Sequence, residues 1–181
     1  NRLRFPRMGL EEVRRQVGPW FPIIVRVSAE ERVPGGNTLE DTLKYLEYLD
    51  EFVDIYDVSC GLNPSLQYQI DSNFLPDGWR AYQARAVKEK FGKPVINAGN
   101  YRDPAVVEKV LESGDVDIVG MGRGLLADPE WVNQVKNGEE EMLPKCISCN
   151  VGCAGTRIGC IRPTRCHIHP TVPAVPRANK P

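Results

Sequence analysis

Five of the chain's six cysteines crowd into one short stretch, and their spacing is the strongest chemical signal in the sequence. Cys146, Cys149, Cys153, Cys160 and Cys166 read C-x2-C-x3-C-x6-C-x5-C. Thiolates two and three residues apart can converge on one compact site, with a fourth ligand from a later turn. This arrangement suits a [4Fe–4S] cubane or a tetrahedral zinc. Spacing does not separate the two, and it leaves the fourth ligand open between Cys160 and Cys166. His167 and His169, the only histidines, adjoin Cys166 and keep zinc in play, although either is otherwise a plain loop residue. Disulfides fit less well, because bridges staple small domains that lack a core, and a long core-forming stretch precedes these cysteines. Cys60 stands apart, a small residue expected near a pocket rim.

Two glycine-rich stretches carry the second signal. Asn97-Ala98-Gly99-Asn100 and Gly120-Met121-Gly122-Arg123-Gly124 each close a β-branched run. Glycines let backbone N–H groups approach an anion, a following helix N-terminus adds a favourable dipole, and Arg123 adds a forked, charge-assisted contact. Together they predict a phosphate site, against the plainer reading of turn punctuation. Arg26 lies inside the apolar run Pro22–Ser28, where a lone charge is costly to bury. It needs a partner, either an anionic or electron-rich ligand or a carboxylate such as Asp54 or Asp57. No Ser-His-Asp constellation and no H-E-x-x-H pattern occurs.

The elements that must position these residues alternate. Pro22–Ser28, Asp54–Ser59, Pro94–Ala98 and Val116–Met121 read as strands buried on both faces. Helical patterns run over Leu10–Val17, Thr38–Phe52, Asp77–Phe91, Asp103–Ser113 and Pro129–Lys136. Thr38 with Asp41 makes a variant capping box, Asp103 an N-cap before Pro104, and Asp77 and Asp128 further caps. Tyr56, Phe74 and Trp79 read as packing residues. Alternating strands and helices imply a parallel sheet with right-handed crossovers. No G-x-G-x-x-G follows the first strand, which argues against a Rossmann domain. The fold class expected is α/β: four βα units, the C-terminal half of a (β/α)8 TIM barrel, then an irregular Cys-rich segment. Residues 1–140 would form the half-barrel, 141–170 the cysteine segment and 171–181 an extended linker. Open sheet edges invite association, either between copies of the chain or with a missing barrel half.

Composition narrows the class further. A chain of 181 residues, 41% hydrophobic and with net charge -1, is globular and offers no electrostatic case for nucleic acid or membrane partners. No apolar run approaches the roughly 20 residues of a membrane span, and the N-terminus lacks the apolar core of a signal peptide. With reduced cysteines, these features predict a cytoplasmic protein. The chain opens without Met and directly into a helical pattern, as a piece of a longer protein would.

The whole pattern resembles the old yellow enzyme superfamily in its iron–sulfur branch. That branch includes 2,4-dienoyl-CoA reductase, 2-enoate reductase, the bile-acid-inducible NADH:flavin oxidoreductases and trimethylamine dehydrogenase. The likeness runs from Asn1 to about Pro170 through NRLRF, VRVS, GGNT, DVSCG, NAGN, DIVGMGRGLLADP and CISCNVGC. It implies FMN, with Arg26 against the N1–C2=O side of the isoalloxazine and Gly99, Asn100, Gly122 and Arg123 around the phosphate. It also implies a [4Fe–4S] cluster on Cys146, Cys149, Cys153 and a later cysteine. Cys166 matches that position best, although its gap is one residue longer than usual and His169 replaces an Asn; Cys160 is the alternative. The implied parent enzyme passes electrons from NAD(P)H through FAD, the cluster and FMN. They would reach the activated C=C bond of a small enone, enoate or enoyl thioester. An amine dehydrogenase on the same scaffold, and a non-enzymatic half-barrel binding phosphate and zinc, are the alternatives. The family's proton-donating Tyr would precede Asn1 and its FAD- and NAD(P)-binding region would follow Pro181. The chain alone is therefore expected to be inactive and to hold FMN weakly.

Overall fold

Parallel pairing organises the molecule, whose computed structural model describes residues 2–170. The expected linker over 171–181 lies outside the described residues. Strands β1 (Ile24–Ser28), β2 (Ile55–Ser59), β3 (Val95–Asn97) and β4 (Ile118–Val119) form one sheet in the order β1-β2-β3-β4. All neighbours are parallel, with Arg26 opposite Asp57, Asp57 opposite Ile96 and Ile96 opposite Ile118. A doubly wound sheet reverses its direction of growth at a switch point. Adding every strand on the same side is the winding of a barrel, so the four units are those of a half-barrel, as the sequence predicted.

Helices α1 (Arg4–Val17), α2 (Leu39–Glu47), α3 (Leu66–Gln69), α4 (Ala81–Phe91), α5 (Pro104–Glu112), α6 (Arg123–Ala127) and α7 (Trp131–Lys136) complete the frame. Helix α1 starts well before Leu10, because Pro6 sits in the first turn, where no intrahelical N–H is needed. The capping box at Thr38 forms: Thr38 Oγ1 accepts from the Asp41 amide at 3.2 Å and Asp41 Oδ2 from the Thr38 amide at 3.0 Å. Asp103 caps α5 through the Ala105 amide at 3.1 Å, and Gly92 closes α4 in the left-handed region. Two expected caps move. Helix α4 starts at Ala81, and Asp77 instead accepts from the amides of Arg102 and Asp103 at 3.1 and 3.0 Å, bracing the loop after β3. Helix α7 starts at Trp131, while Asp128 holds the Glu130 amide at 2.9 Å.

The core lies on one face of the sheet only. Tyr56, Val58 and Val95 are fully buried there and pack with Ala84 and Val87 of α4, Val107 and Val110 of α5, and Trp131 of α7. Period-two alternation sends Ile24, Arg26, Asp57, Ile96 and Ile118 to the other face. No described element covers that face, and Ile24 and Ile118 remain 53% and 46% exposed. The expectation of strands buried on both faces is therefore corrected: a parallel strand is doubly covered only where the rest of the barrel closes over it. Cys60 is likewise misplaced by the sequence reading. It is fully buried on the helix side, donating to the Glu30 carbonyl at 3.4 Å, and lines neither the strand-end cavity nor the cysteine pocket. Phe74 is 88% exposed and lies outside the core, whereas Tyr56 is fully buried in it.

Candidate functional site

The C-terminal ends of the strands converge on an open cavity of about 380 Å³. Arg26 from β1, Asn100 from the loop after β3, and Gly122 and Arg123 at the start of α6 all line it. Gly99 does not. It lies beneath, where its carbonyl accepts from the Gly78 amide at 2.7 Å. A Cβ there would come within 3.1 Å of Asn97 Oδ1 and 3.2 Å of Arg80 Cγ, so a larger residue would have to push these side chains aside. Arg26 is not the buried charge its apolar neighbours implied. It faces the open side, its side chain 69% exposed, with Asp57 Oδ2 at 3.6 Å. Of the two partners offered by the sequence, the carboxylate is thus present, and the guanidinium remains free enough to meet a ligand as well.

Charge at the cavity is strongly cationic: five arginines (Arg26, Arg80, Arg102, Arg123 and Arg157) line it with a single carboxylate, Asp71. That balance suits a phosphorylated ligand, since fixed guanidinia offer paired donors to phosphate oxygens. Asp71, 2% exposed, organises the arginines. Its Oδ2 accepts from Arg80 at 3.3 Å and Arg123 at 3.5 Å, its Oδ1 from Trp79 Nε1 at 2.8 Å, and its carbonyl from Arg123 Nη1. Arg80 is itself 4% exposed and also donates to the carbonyls of Ala98 and Tyr68. Burial pushes the Arg80 guanidinium below its ordinary value, and the neighbouring Asp71 carboxylate opposes the fall. Beneath the cavity the Tyr101 phenol, pushed up to about 12 by burial, stays protonated and donates to Asn97 Oδ1 at 2.9 Å.

The cysteine segment folds over one wall of this cavity. All six cysteines are free thiols. Cys146, Cys149, Cys153 and Cys166 line one small pocket, together with Arg123 and Gly152, and Cys160 does not. Local structure explains the selection. Residues Val151–Gly159 form a π-helical turn that carries Cys160 out to its exposed end. The chain then returns against Gly152, whose carbonyl accepts from the Arg165 amide at 2.7 Å. A Cβ on Gly152 would lie 2.7 Å from the Arg165 carbonyl oxygen, so only glycine admits the return strand that delivers Cys166. Among the described residues, no group of three His, Cys, Asp or Glu side chains is already gathered as a metal site. Sharing one pocket brings Cys146, Cys149, Cys153 and Cys166 into one neighbourhood, the ligand type that either an iron–sulfur cluster or zinc takes. Cys146, Cys153 and Arg123 border both the cavity and the cysteine pocket.

The sequence reading missed Asp71, Arg80, Ser148 and Asn150. Asp71 sits in a loop without periodicity and Arg80 reads as a surface helix residue. Only the presence of Ser and Asn between cysteines, where small polar residues hydrogen-bond nearby backbone, hinted at the last two.

A family model described as the NADH:flavin oxidoreductase / NADH oxidase family matches residues 1–141. The chain is 39% identical over 170 residues to an NADH oxidase from Thermoanaerobacter brockii, covering 93% of this chain and 26% of that protein. Among solved structures, a 2-naphthoyl-CoA reductase in complex with 2-naphthoyl-CoA superposes with a TM-score of 0.86 at 27% identity. It covers 93% of this chain and 26% of its own. Histamine dehydrogenase from Rhizobium sp. 4-9 superposes with a TM-score of 0.83 at 26% identity, covering 94% and 24% respectively. The chain thus spans about a quarter of the length of the proteins it matches.

Proposed function

The chain belongs to the NADH:flavin oxidoreductase / NADH oxidase family, and from that premise we propose that its protein reduces activated C=C bonds with electrons drawn from NAD(P)H. The substrate class is a small enone, enoate or enoyl thioester. The observation that carries the redox reading is the wall shared between the cationic cavity and the four-cysteine pocket, built from Arg123, Cys146 and Cys153. Two cofactor sites in that contact form a relay, whereas a phosphate-binding module has no use for four thiols beside its anion.

Bound in the cavity, FMN supplies hydride chemistry, and a [4Fe–4S] cluster on Cys146, Cys149, Cys153 and Cys166 supplies single-electron transfer. The chain's own residues do the positioning. Asn100, Gly122 and Arg123 receive the flavin phosphate, with Asp71 and Asp77 fixing the loops that carry them. Gly99 acts one layer below, by allowing Arg80 to pass beneath that loop. Arg26, projecting from the open face of β1 into the cavity, would supply a cation to the flavin ring, which would favour negative charge on its reduced form. Cys160 stays outside the cluster. Residues 1–140 hold the flavin and 141–170 the cluster. FAD and the nicotinamide act in the parent protein, beyond the quarter represented by this chain.

The likeness to histamine dehydrogenase supports a second reading, oxidation of an amine on the same scaffold. One anaerobic assay separates the two. The protein carrying this chain is incubated with NADH or NADPH and a 2-enoate, and separately with a primary or tertiary amine and a dye acceptor. Nicotinamide-dependent saturation of the enoate is expected. Dye reduction by the amine, with the enoate untouched, would overturn the reductase reading and leave the flavin site standing.

A further inference from the structure

We infer that Ser148 and Asn150 are positioning residues that key the cysteine segment to the phosphate side of the cavity, so that cluster and flavin share one hydrogen-bonded clamp. The inference rests on the cofactor reading above. Both residues lie between cysteines of the set, and both direct their side chains into the barrel. Ser148, 2% exposed, donates from Oγ to Asn100 Oδ1 at 2.6 Å. Arg123 Nη1 donates to Asn150 Oδ1 at 2.5 Å, and Asn150 Nδ2 donates to the carbonyls of Ile70 and Asp71 at 3.2 and 3.1 Å. The clamp therefore closes on Asn100 and Arg123, the two side chains assigned to the flavin phosphate.

Backbone geometry links the clamp to the sulfurs. Ser148 and Asn150 hold φ of 49° and 60°, in the left-handed region that non-glycine residues visit at a cost. In that conformation the Ser148 amide donates to Cys146 Sγ at 3.4 Å. Hydrogen bonds to cluster sulfurs are one of the protein's levers on reduction potential. The side-chain clamp thus sets both the position of the cysteine loop and the aim of an N–H at sulfur. A perturbation at either cofactor is transmitted to the other through the same few bonds, and such coupling is reciprocal. The plainer account is that Asn150 is present only because Asn tolerates left-handed backbone. Glycine would then serve as well.

Glycine variants separate the two accounts, since they keep the backbone conformation and delete the clamp. N150G and S148G are purified without oxygen as holoproteins. Iron and acid-labile sulfide, the cluster midpoint potential followed by EPR, and FMN affinity of the deflavo protein by flavin fluorescence are then measured. FMN affinity is expected to fall about tenfold in N150G, the scale of one hydrogen bond to a charged group. The midpoint is expected to fall in S148G as the amide loses its aim. The S148G readings also serve should N150G fail to accumulate as folded protein. Variants with full iron, unchanged midpoint and unchanged FMN affinity would overturn the clamp alone. Wild-type protein containing zinc, or no iron and sulfide, would overturn the cluster assignment and the clamp with it.

Discussion

Asp71 is the residue whose removal should cost the fold most for the smallest change in volume. Among the described residues its carboxylate is the only one paired with these two guanidinia, at 3.3 Å from Arg80 and 3.5 Å from Arg123, with its side chain 2% and that of Arg80 5% exposed. Asp71→Ala leaves Arg80 in the interior with neutral carbonyl partners at Ala98 and Tyr68 and no counter-charge. Trp79 Nε1 loses its acceptor as well. Breaking a buried pair by deleting one partner costs about 3–5 kcal/mol, because the surviving charge is uncompensated. A domain of this size shifts by roughly 2–4 °C in Tm per kcal/mol, so a loss of about 6–20 °C is expected. Asp71→Asn keeps the volume and an acceptor for Trp79. It should therefore be milder than Asp71→Ala by the roughly 1 kcal/mol of a typical hydrogen bond. Urea unfolding at neutral pH, read by tryptophan fluorescence and far-UV circular dichroism, measures these differences if the slopes agree. The double change D71L/R80M supplies the internal control, since replacing both members by apolar groups often restores stability. A loss below about 1 kcal/mol in D71A would refute the reasoning, because it would mean that water reaches the pair and screens it.

Cys166→Ser should abolish iron and sulfide retention, as should the same change at Cys146, Cys149 or Cys153, whereas Cys160→Ser should leave both unchanged; equal loss from Cys160→Ser would show that the pocket's lining misidentifies the ligands. Arg26→Ala should alter stability by less than about 0.5 kcal/mol, the range of an exposed pair, while weakening FMN binding and lowering the flavin midpoint. The Ile23 amide, at 2.7 Å, and then Arg14 hold the Asp54 carboxyl below its usual value. The unfolded chain then takes up the proton first, so the stabilisation is complete above the unfolded value of about 3.9 and fades as pH falls through the folded one. Asp54→Asn should accordingly cost under about 1 kcal/mol near neutral pH, discounted for exposure, and the gap should close in acid denaturation curves below about pH 4.

Much of the fold was legible because its signals are local. Four β-branched runs, the Thr38 capping box and the Asp103-Pro104 start each depend on neighbours within a turn. The strand order follows once no switch point interrupts the alternation. What failed was information held outside the local window. Arg26 and Ile118 read as buried because apolar neighbours flank them, but burial is decided by whatever lies over the open sheet face. Helix α6 was passed over because Gly122 and Gly124 are poor helix formers, although the structure starts a short helix at Arg123. Asp77 has the residue type of a cap, but the loop after β3 competes for the same carboxylate and wins two amides.

The site divides in the same way. The residues that line the cavity and the cysteine pocket were largely legible, since clustered cysteines and glycines at strand ends stand out in the sequence. Their organisers were not, because Asp71, Arg80 and Asn150 earn their place through partners 52, 18 and 27 residues distant. Arg123 makes the point most directly. Read from sequence it is a free cation awaiting phosphate, whereas in the fold it already holds Asp71, Asn100 and Asn150. Holding a guanidinium in advance lowers what an incoming anion must spend on ordering it. It also joins three segments, the loop after α3, the loop after β3 and the cysteine turn, at a single group. The fixed cation, which borders both the cavity and the cysteine pocket, would therefore serve the proposed phosphate site and tie it to the four thiols.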